Sequence, residues 1–155
     1  MCEVSQRASR KPARGGVPNV LFGRLSLEEA PGDLIGLADM LTVLFPWGSL
    51  LRAVAAPDAG LRKLAALGKR GGRIHFLYGY GCGDSAVVKE LGLSELGSGV
   101  LLSHLERAYA AAGLQVEARY AAREYVASVE STWAKKLAFS PRARAFIEIR
   151  GTVQA

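Results

Sequence analysis

The run Met40-Leu41-Thr42-Val43-Leu44-Phe45 limits the architecture more than any other stretch of this chain. It is too short for a helix and carries a boundary signal on each side, Asp39 before it and Pro46-Trp47-Gly48 after it. A nearly continuous apolar run of this length reads as a strand buried on both faces, the habit of parallel sheets covered by helices. The chain should therefore bring helices to cover it.

The neighbouring segments supply them. Ser49–Ala56 reads as a helix stopped by Pro57, and Asp58 is placed to cap a second, with Leu61, Leu64 and Leu67 on one side and Gly68 at its end. Arg73–Tyr78 is the next strand. Ser98 caps a helix whose Leu101, Leu105, Tyr109 and Ala112 follow helical spacing up to Gly113, and Leu114–Tyr120 alternates as a half-exposed strand. Residues 131–139 read as a short helix with Ser131 as N-cap, and Arg144–Val153 as a closing strand. Before the central run, residues 3–14 fit a short basic helix ending before Pro12, Val17–Ser26 a strand, and Pro31–Leu37 a turn or short helix. No repeat, low-complexity segment or linker interrupts the chain. Residues 1–155 are thus expected to form a single α/β domain with a mostly parallel sheet and an antiparallel C-terminal strand.

The net charge of +6, on a chain that is half apolar and 22% charged, points to a globular protein with an acidic partner, nucleic acid or an anionic membrane. Cys2 and Cys82 are too few for a disulfide framework and lack metal-ligand spacing, so no metal is expected and a reducing cytoplasm fits best. Asp39, Pro46 and Arg52 interrupt the best apolar stretch below membrane-spanning length, and the basic N-terminus has no apolar segment of a secretory signal. Basic residues gather at Arg7, Arg10, Lys11 and Arg14, at Arg62, Lys63, Lys69, Arg70 and Arg73, and at Lys135, Lys136, Arg142 and Arg144. Charge runs are ordinarily solvated faces. The first and last of these, however, flank the tryptophan motifs in sequence, and cations beside aromatics are what nucleic-acid sites combine.

Both tryptophans stand at boundary signals: Trp47 where a strand should end and a helix begin, Trp133 just after the Ser131 cap. The C-terminal end of a parallel strand is where α/β sheets bind ligands, and two such rings can sandwich an unstacked base. Composition alone favours the plainer reading, that both are core residues with their indole N–H on a carbonyl. Gly79-Tyr80-Gly81-Cys82-Gly83-Asp84 follows a strand as a nucleotide loop would. The acidic partner expected about 20 residues on falls near Glu106, inside a helical pattern, which favours an ordinary loop. His75 in an apolar strand and His104 in a helix read as structural.

The stretch Arg10–Phe22 (RKPARGGVPNVLF), Glu28, FPWGSLLR at 45–52 and STWAKKLAF at 131–139 together resemble the aminoglycoside-resistance 16S ribosomal RNA methyltransferases. Those enzymes modify N1 of a decoding-site adenine with S-adenosylmethionine. The resemblance implies a class I, Rossmann-like fold, with Trp47 and Trp133 stacking on the flipped adenine and Pro46 and Ser131 lining its pocket. It implies adenosyl contacts at Leu27, Glu28, Leu44 and Ser49. It also implies ribosomal RNA contacts at Arg7, Arg10, Lys11 and Lys136, with Arg142 or Arg144 steadying the RNA backbone. The partner would be 16S rRNA in the 30S subunit, met by a monomer in the cytoplasm, with no membrane and no metal.

In that family a first strand with an acidic residue and Gly-rich turn, and a second ending in a ribose-binding acid, would precede Met1. The domain is therefore expected to be incomplete, its first strands missing, and the 155-residue chain inactive by itself. Adenine N1 has a free lone pair and attacks a sulfonium methyl without a general base, so no Ser-His-Asp or Cys-His set is required; holding the base in line does the work. Two alternatives stay open: a non-catalytic rRNA-binding remnant, and a methyltransferase of this fold with another substrate.

Overall fold

The computed structural model describes residues 26–55, 59–80, 99–142 and 144–154, with isolated positions 13, 16, 19, 20 and 23. Its elements run β1 (Ala38–Leu44), α1 (Gly48–Ala55), α2 (Ala59–Ala66), β2 (Gly68–Tyr80), α3 (Gly99–Ala111), β3 (Leu114–Tyr120), α4 (Arg123–Ser128), α5 (Thr132–Ala138) and β4 (Ala145–Val153). A single 3-10 turn, Gly32–Leu34, precedes β1.

The four strands form one sheet in the order β1-β2-β4-β3. β1 pairs parallel with β2, while β4 pairs antiparallel with both β2 and β3. Three strands therefore share one direction and the C-terminal strand runs against them, as expected from the sequence; its place between β2 and β3 is what the structure adds.

Each sheet face has its own apolar cluster. On one, Val43, Ile74, Phe76, Tyr78, Leu114, Ala118, Ile147, Ile149 and Val153 pack against Val54, Leu61, Leu64, Leu105 and Tyr109 from α1, α2 and α3. Full burial of each large side chain here contributes about 1.5–3 kcal/mol. The Tyr109 hydroxyl is satisfied inside this core, donating to the Val54 carbonyl at 2.7 Å and joining α3 to α1. Burial pushes its pKa well up. On the other face a smaller cluster of Phe45, Leu77, Val126, Ala134, Leu137, Ala138 and Phe146 seats α4 and α5 over one end of the sheet.

Several expectations change. Met40–Phe45 is not buried on both faces: Met40 and Leu44 are 47% and 37% exposed, because α1 and α2 cover the Leu41/Val43 side and no described element covers the other. Among the described residues β1 pairs only with β2. β2 starts at Gly68, ahead of the expected Arg73, because the register jumps from Ala38↔Gly68 to Met40↔Arg73 and the extra residues bulge out through Gly71, whose φ is 74°. Helix α4 has no counterpart in the sequence reading; its six residues are too few to show a period. The expected helix at 3–14, most of the strand at Val17–Ser26, and the caps Asp58 and Ser98 lie outside the described residues. Positions 19, 20, 23 and 26 within that strand are turn or irregular.

Candidate functional site

The end of β1 is shaped by one unusual backbone angle. Phe45 extends the parallel ladder, its N–H donating to the Leu77 carbonyl at 2.7 Å. Its φ of 51° is in the left-handed region, which costs a non-glycine residue about 1–3 kcal/mol. Strand alternation would send its ring to the side of Leu41 and Val43. The twist sends it to the opposite cluster, where it meets Phe146 edge-to-face at 6.4 Å and 87°. The chain then passes through half-buried Pro46 to Trp47, whose carbonyl accepts the Leu51 N–H of α1 (3.4 Å).

Helix α5 delivers the second ring. Ser131 is its N-cap: the hydroxyl oxygen accepts from the Ala134 N–H at 3.3 Å and the carbonyl from the Lys135 N–H at 3.1 Å. Ala134, Leu137 and Ala138 face inward onto the cluster that holds Phe45, leaving Trp133 and Lys136 outward. The indoles of Trp47 and Trp133 thus meet at the C-terminal end of the parallel strands, ring centroids 6.1 Å apart and planes inclined at 56°. They are 55% and 42% exposed, so the reading of both as core residues is corrected. A flat base between parallel rings needs about 7 Å, two van der Waals separations. The pair as it stands rests on itself.

The other expected residues divide. Leu27, Glu28 and Ser49 line one cavity of about 220 Å³ together with Arg52, Ala53 and Lys63, and Leu44 is not among its walls. Leu27 and Glu28 also border a cavity of about 180 Å³ beside Ile35 and Leu67. Lys136 is exposed on α5 beside Trp133. Arg142 is exposed, with its carbonyl accepting from Arg123 Nη2 at 3.1 Å, whereas Arg144 is half-buried. Arg7, Arg10 and Lys11 lie outside the described residues, as do residues 81–84 of the glycine-rich segment. Gly79 is the penultimate residue of β2, and its missing side chain has a packing cause: a Cβ there would collide with the Phe146 ring. Among the described residues no group of three or more His, Cys, Asp or Glu is placed to hold a metal, and no helix is long and apolar enough to cross a membrane.

Sequence reasoning missed a polar centre beneath α4. Glu148, wholly buried on β4, is hydrogen-bonded to His75 Nε2 at 2.9 Å and accepts from Arg119 Nε at 2.7 Å, Arg150 Nε at 2.7 Å and the Tyr125 hydroxyl at 2.6 Å. Burial would raise the Glu148 pKa, but hydrogen bonds from Tyr125, Arg119 and Arg150 and the charge of Arg150 outweigh it and bring it down to about 2. The one signal in the sequence is a charged pair, Glu148 and Arg150, set two apart within an apolar strand.

This sheet, with one antiparallel strand lying between the last two parallel ones and the site at the parallel strands' C-terminal ends, defines the chain as a Rossmann-like methyltransferase fold. The structure of KamB, a 16S rRNA methyltransferase, matches with a TM-score of 0.82 at 31% identity, covering 100% of this chain and 72% of that one. A tryptophan-to-alanine mutant of the 16S rRNA (adenine(1408)-N(1))-methyltransferase from Catenulisporales acidiphilia, solved with cosubstrate SAM, matches with a TM-score of 0.81 at 32% identity, covering 100% and 70%. The Escherichia coli 16S rRNA (adenine(1408)-N(1))-methyltransferase is 34% identical, over 97% of this chain and 70% of its own length. The relative from Streptoalloteichus hindustanus is also 34% identical, over 88% of this chain and 64% of its own length. The chain belongs to the family described as NpmA: 16S rRNA (adenine(1408)-N(1))-methyltransferase, whose profile matches residues 1–152.

Proposed function

We propose that this protein serves S-adenosylmethionine-dependent methylation of N1 of an adenine in the 16S rRNA decoding site, the base being flipped out and held between Trp47 and Trp133. The observation that carries the reading is the ring pair: two indoles from separate elements, both open to solvent, meeting at the strand ends. Stacking contributes about 1–3 kcal/mol per base, enough to offset much of the cost of unstacking it. Bound cosubstrate supplies the electrophilic methyl group. The adenine lone pair needs no base to activate it, so the chain's residues act by orientation: Pro46 and Ser131 border the rings, and Lys136 and Arg142 take phosphate. By the family resemblance Arg7, Arg10 and Lys11 take phosphate as well. Leu27, Glu28 and Ser49 fit the adenosine end of the cosubstrate, offering an apolar wall, a carboxylate acceptor and a hydroxyl in one cavity. The setting is the 30S subunit in the cytoplasm, the protein acts as a monomer, and the outcome is aminoglycoside resistance.

A second reading, an rRNA-binding module that keeps the ring pair without methyl transfer, draws on two observations. The Glu28 cavity is smaller than the ~300–1,000 Å³ usual for small-molecule sites. Among the described residues, β1 also has an unpaired outer edge beside exposed Leu44. Primer extension on 30S subunits incubated with the protein and S-adenosylmethionine decides. A stop at the decoding-site adenine supports methyl transfer; salt-sensitive binding with no stop, and no cosubstrate heat by calorimetry, supports the second reading.

A further inference from the structure

The Glu148 centre gathers groups from four elements, and one of them comes from the helix layer. His75 belongs to β2, Arg119 to β3, Arg150 to β4 itself, and Tyr125 to α4. Replacing a buried ion pair by apolar residues is often neutral or stabilising, so stability alone is a weak reason for this centre. What it supplies is a fixed direction. Tyr125 is held four ways: its hydroxyl donates to Glu148 at 2.6 Å, accepts from Arg150 Nη2 at 2.8 Å and lies 3.4 Å from His75 Nε2, and the Arg150 guanidinium lies 5.7 Å from its ring centroid. These are charge-assisted bonds, shorter and more directional than neutral ones.

The residue after Tyr125 transmits that direction. Val126 is fully buried in the cluster that includes Ala134 and Leu137 of α5 and Phe45 from the Trp47 turn. The link from α4 to α5 is short and bonded: the Val129 N–H donates to the Val126 carbonyl at 3.2 Å and the Ser131 N–H to the Val129 carbonyl at 2.7 Å. Trp133 stands in the first turn of α5, directly after this link. A rotation of α4 therefore carries the Ser131 cap and the Trp133 ring with it.

We propose that Tyr125 and Glu148 are positioning residues that lock α4 to the sheet and thereby set Trp133 against Trp47. The inference rests on the reading of the ring pair as the base-holding site, and gives that site a buried support that touches neither base nor cosubstrate.

The chain has two tryptophans, so the indole exciton couplet in far-ultraviolet circular dichroism reports this pair alone, with Trp47→Phe setting the zero. Tyr125→Phe and Glu148→Gln should lose most of the couplet while still melting cooperatively. Leu64→Ala, which cuts into the core on the opposite face, should keep it despite an equal or larger loss in melting temperature. A wild-type couplet in Tyr125→Phe, or an equal loss in Leu64→Ala, overturns the inference. If Glu148→Gln fails to fold, Tyr125→Phe, which removes one hydroxyl, decides alone. A normal couplet in wild type whose tryptophan fluorescence is unmoved by decoding-site RNA overturns the base-holding reading, a different result from either of these.

Discussion

Trp47 and Trp133 touch each other across the end of the sheet, their ring centroids 6.1 Å apart at a tilt of 56°. On the proposed reading a base would enter by displacing one indole, and both rings are exposed enough to move without disturbing the core. On that reading one ring-ring interaction of about 0.5–1.5 kcal/mol would give way to stacking of about 1–3 kcal/mol per base, set against the cost of unstacking it from the RNA.

Trp47→Ala and Trp133→Ala should each weaken binding of decoding-site RNA by about 5–150-fold, the equivalent of removing one stack. Thermal stability should fall by only a few degrees, the cost of the lost ring contact, since each ring is about half exposed. The Phe variants, which keep a ring face, should recover a good part of the affinity. Equal affinity of wild type and both alanine variants in a filter-binding assay would return the tryptophans to plain surface packing.

Acid should unlock the Glu148 centre. Its folded pKa, about 2, is below the usual 4.5 of a glutamate, so ionised Glu148 stabilises the fold fully above the unfolded value. That contribution, on the order of 3 kcal/mol, is lost as pH falls from about 4.5 toward 2. His75, Arg119, Arg150 and Tyr125 surround the carboxylate. Melting temperatures followed from neutral pH down to acid should fall less steeply in Glu148→Gln than in wild type through this window; parallel curves would show that the carboxylate carries no such linkage.

The cationic surface should behave as a phosphate grip. Removing Lys136 or Arg142 should lower the slope of log affinity against log salt by about 0.7–0.9 for each phosphate no longer neutralised. Arg144→Ala should change that slope less than Arg142→Ala, because Arg142 is exposed and Arg144 half-buried. A larger effect at Arg144 would assign the phosphate to that residue instead.

Phe45→Ala should destabilise the protein by about 3–5 kcal/mol, the usual range for a buried phenylalanine. It removes the ring that packs on Phe146 while leaving an unfavourable φ of 51° for the new side chain. The loss should exceed that of Phe139→Ala, whose ring is exposed, by chemical denaturation of the two variants. A similar cost for both would mean that the twist at Phe45 is not held by its ring.

The local signals that place the site were legible in the chain. The Met40–Phe45 run marked the strand, Pro46-Trp47-Gly48 its end, Ser131 the cap of α5, and the charged-apolar alternation of β3 its extended form. Each depends on neighbours a few residues away, where backbone sterics and capping bonds act. The family motifs around Trp47 and Trp133 were legible for the same reason.

Tertiary structure decided the rest. The left-handed twist at Phe45 is unfavourable locally and persists because Phe146 and Leu77 receive the ring. Nothing local marks Glu148 as buried, yet it is, because β4 is inside the sheet, where three cationic or hydroxyl donors reach it. The meeting of the two tryptophans, and its tilt, follow from how α5 and the Phe45–Gly48 turn sit at the end of that sheet. Sequence sets what each segment prefers; partners distant along the chain set the distances and angles between them, because only folding brings those side chains within a few ångströms.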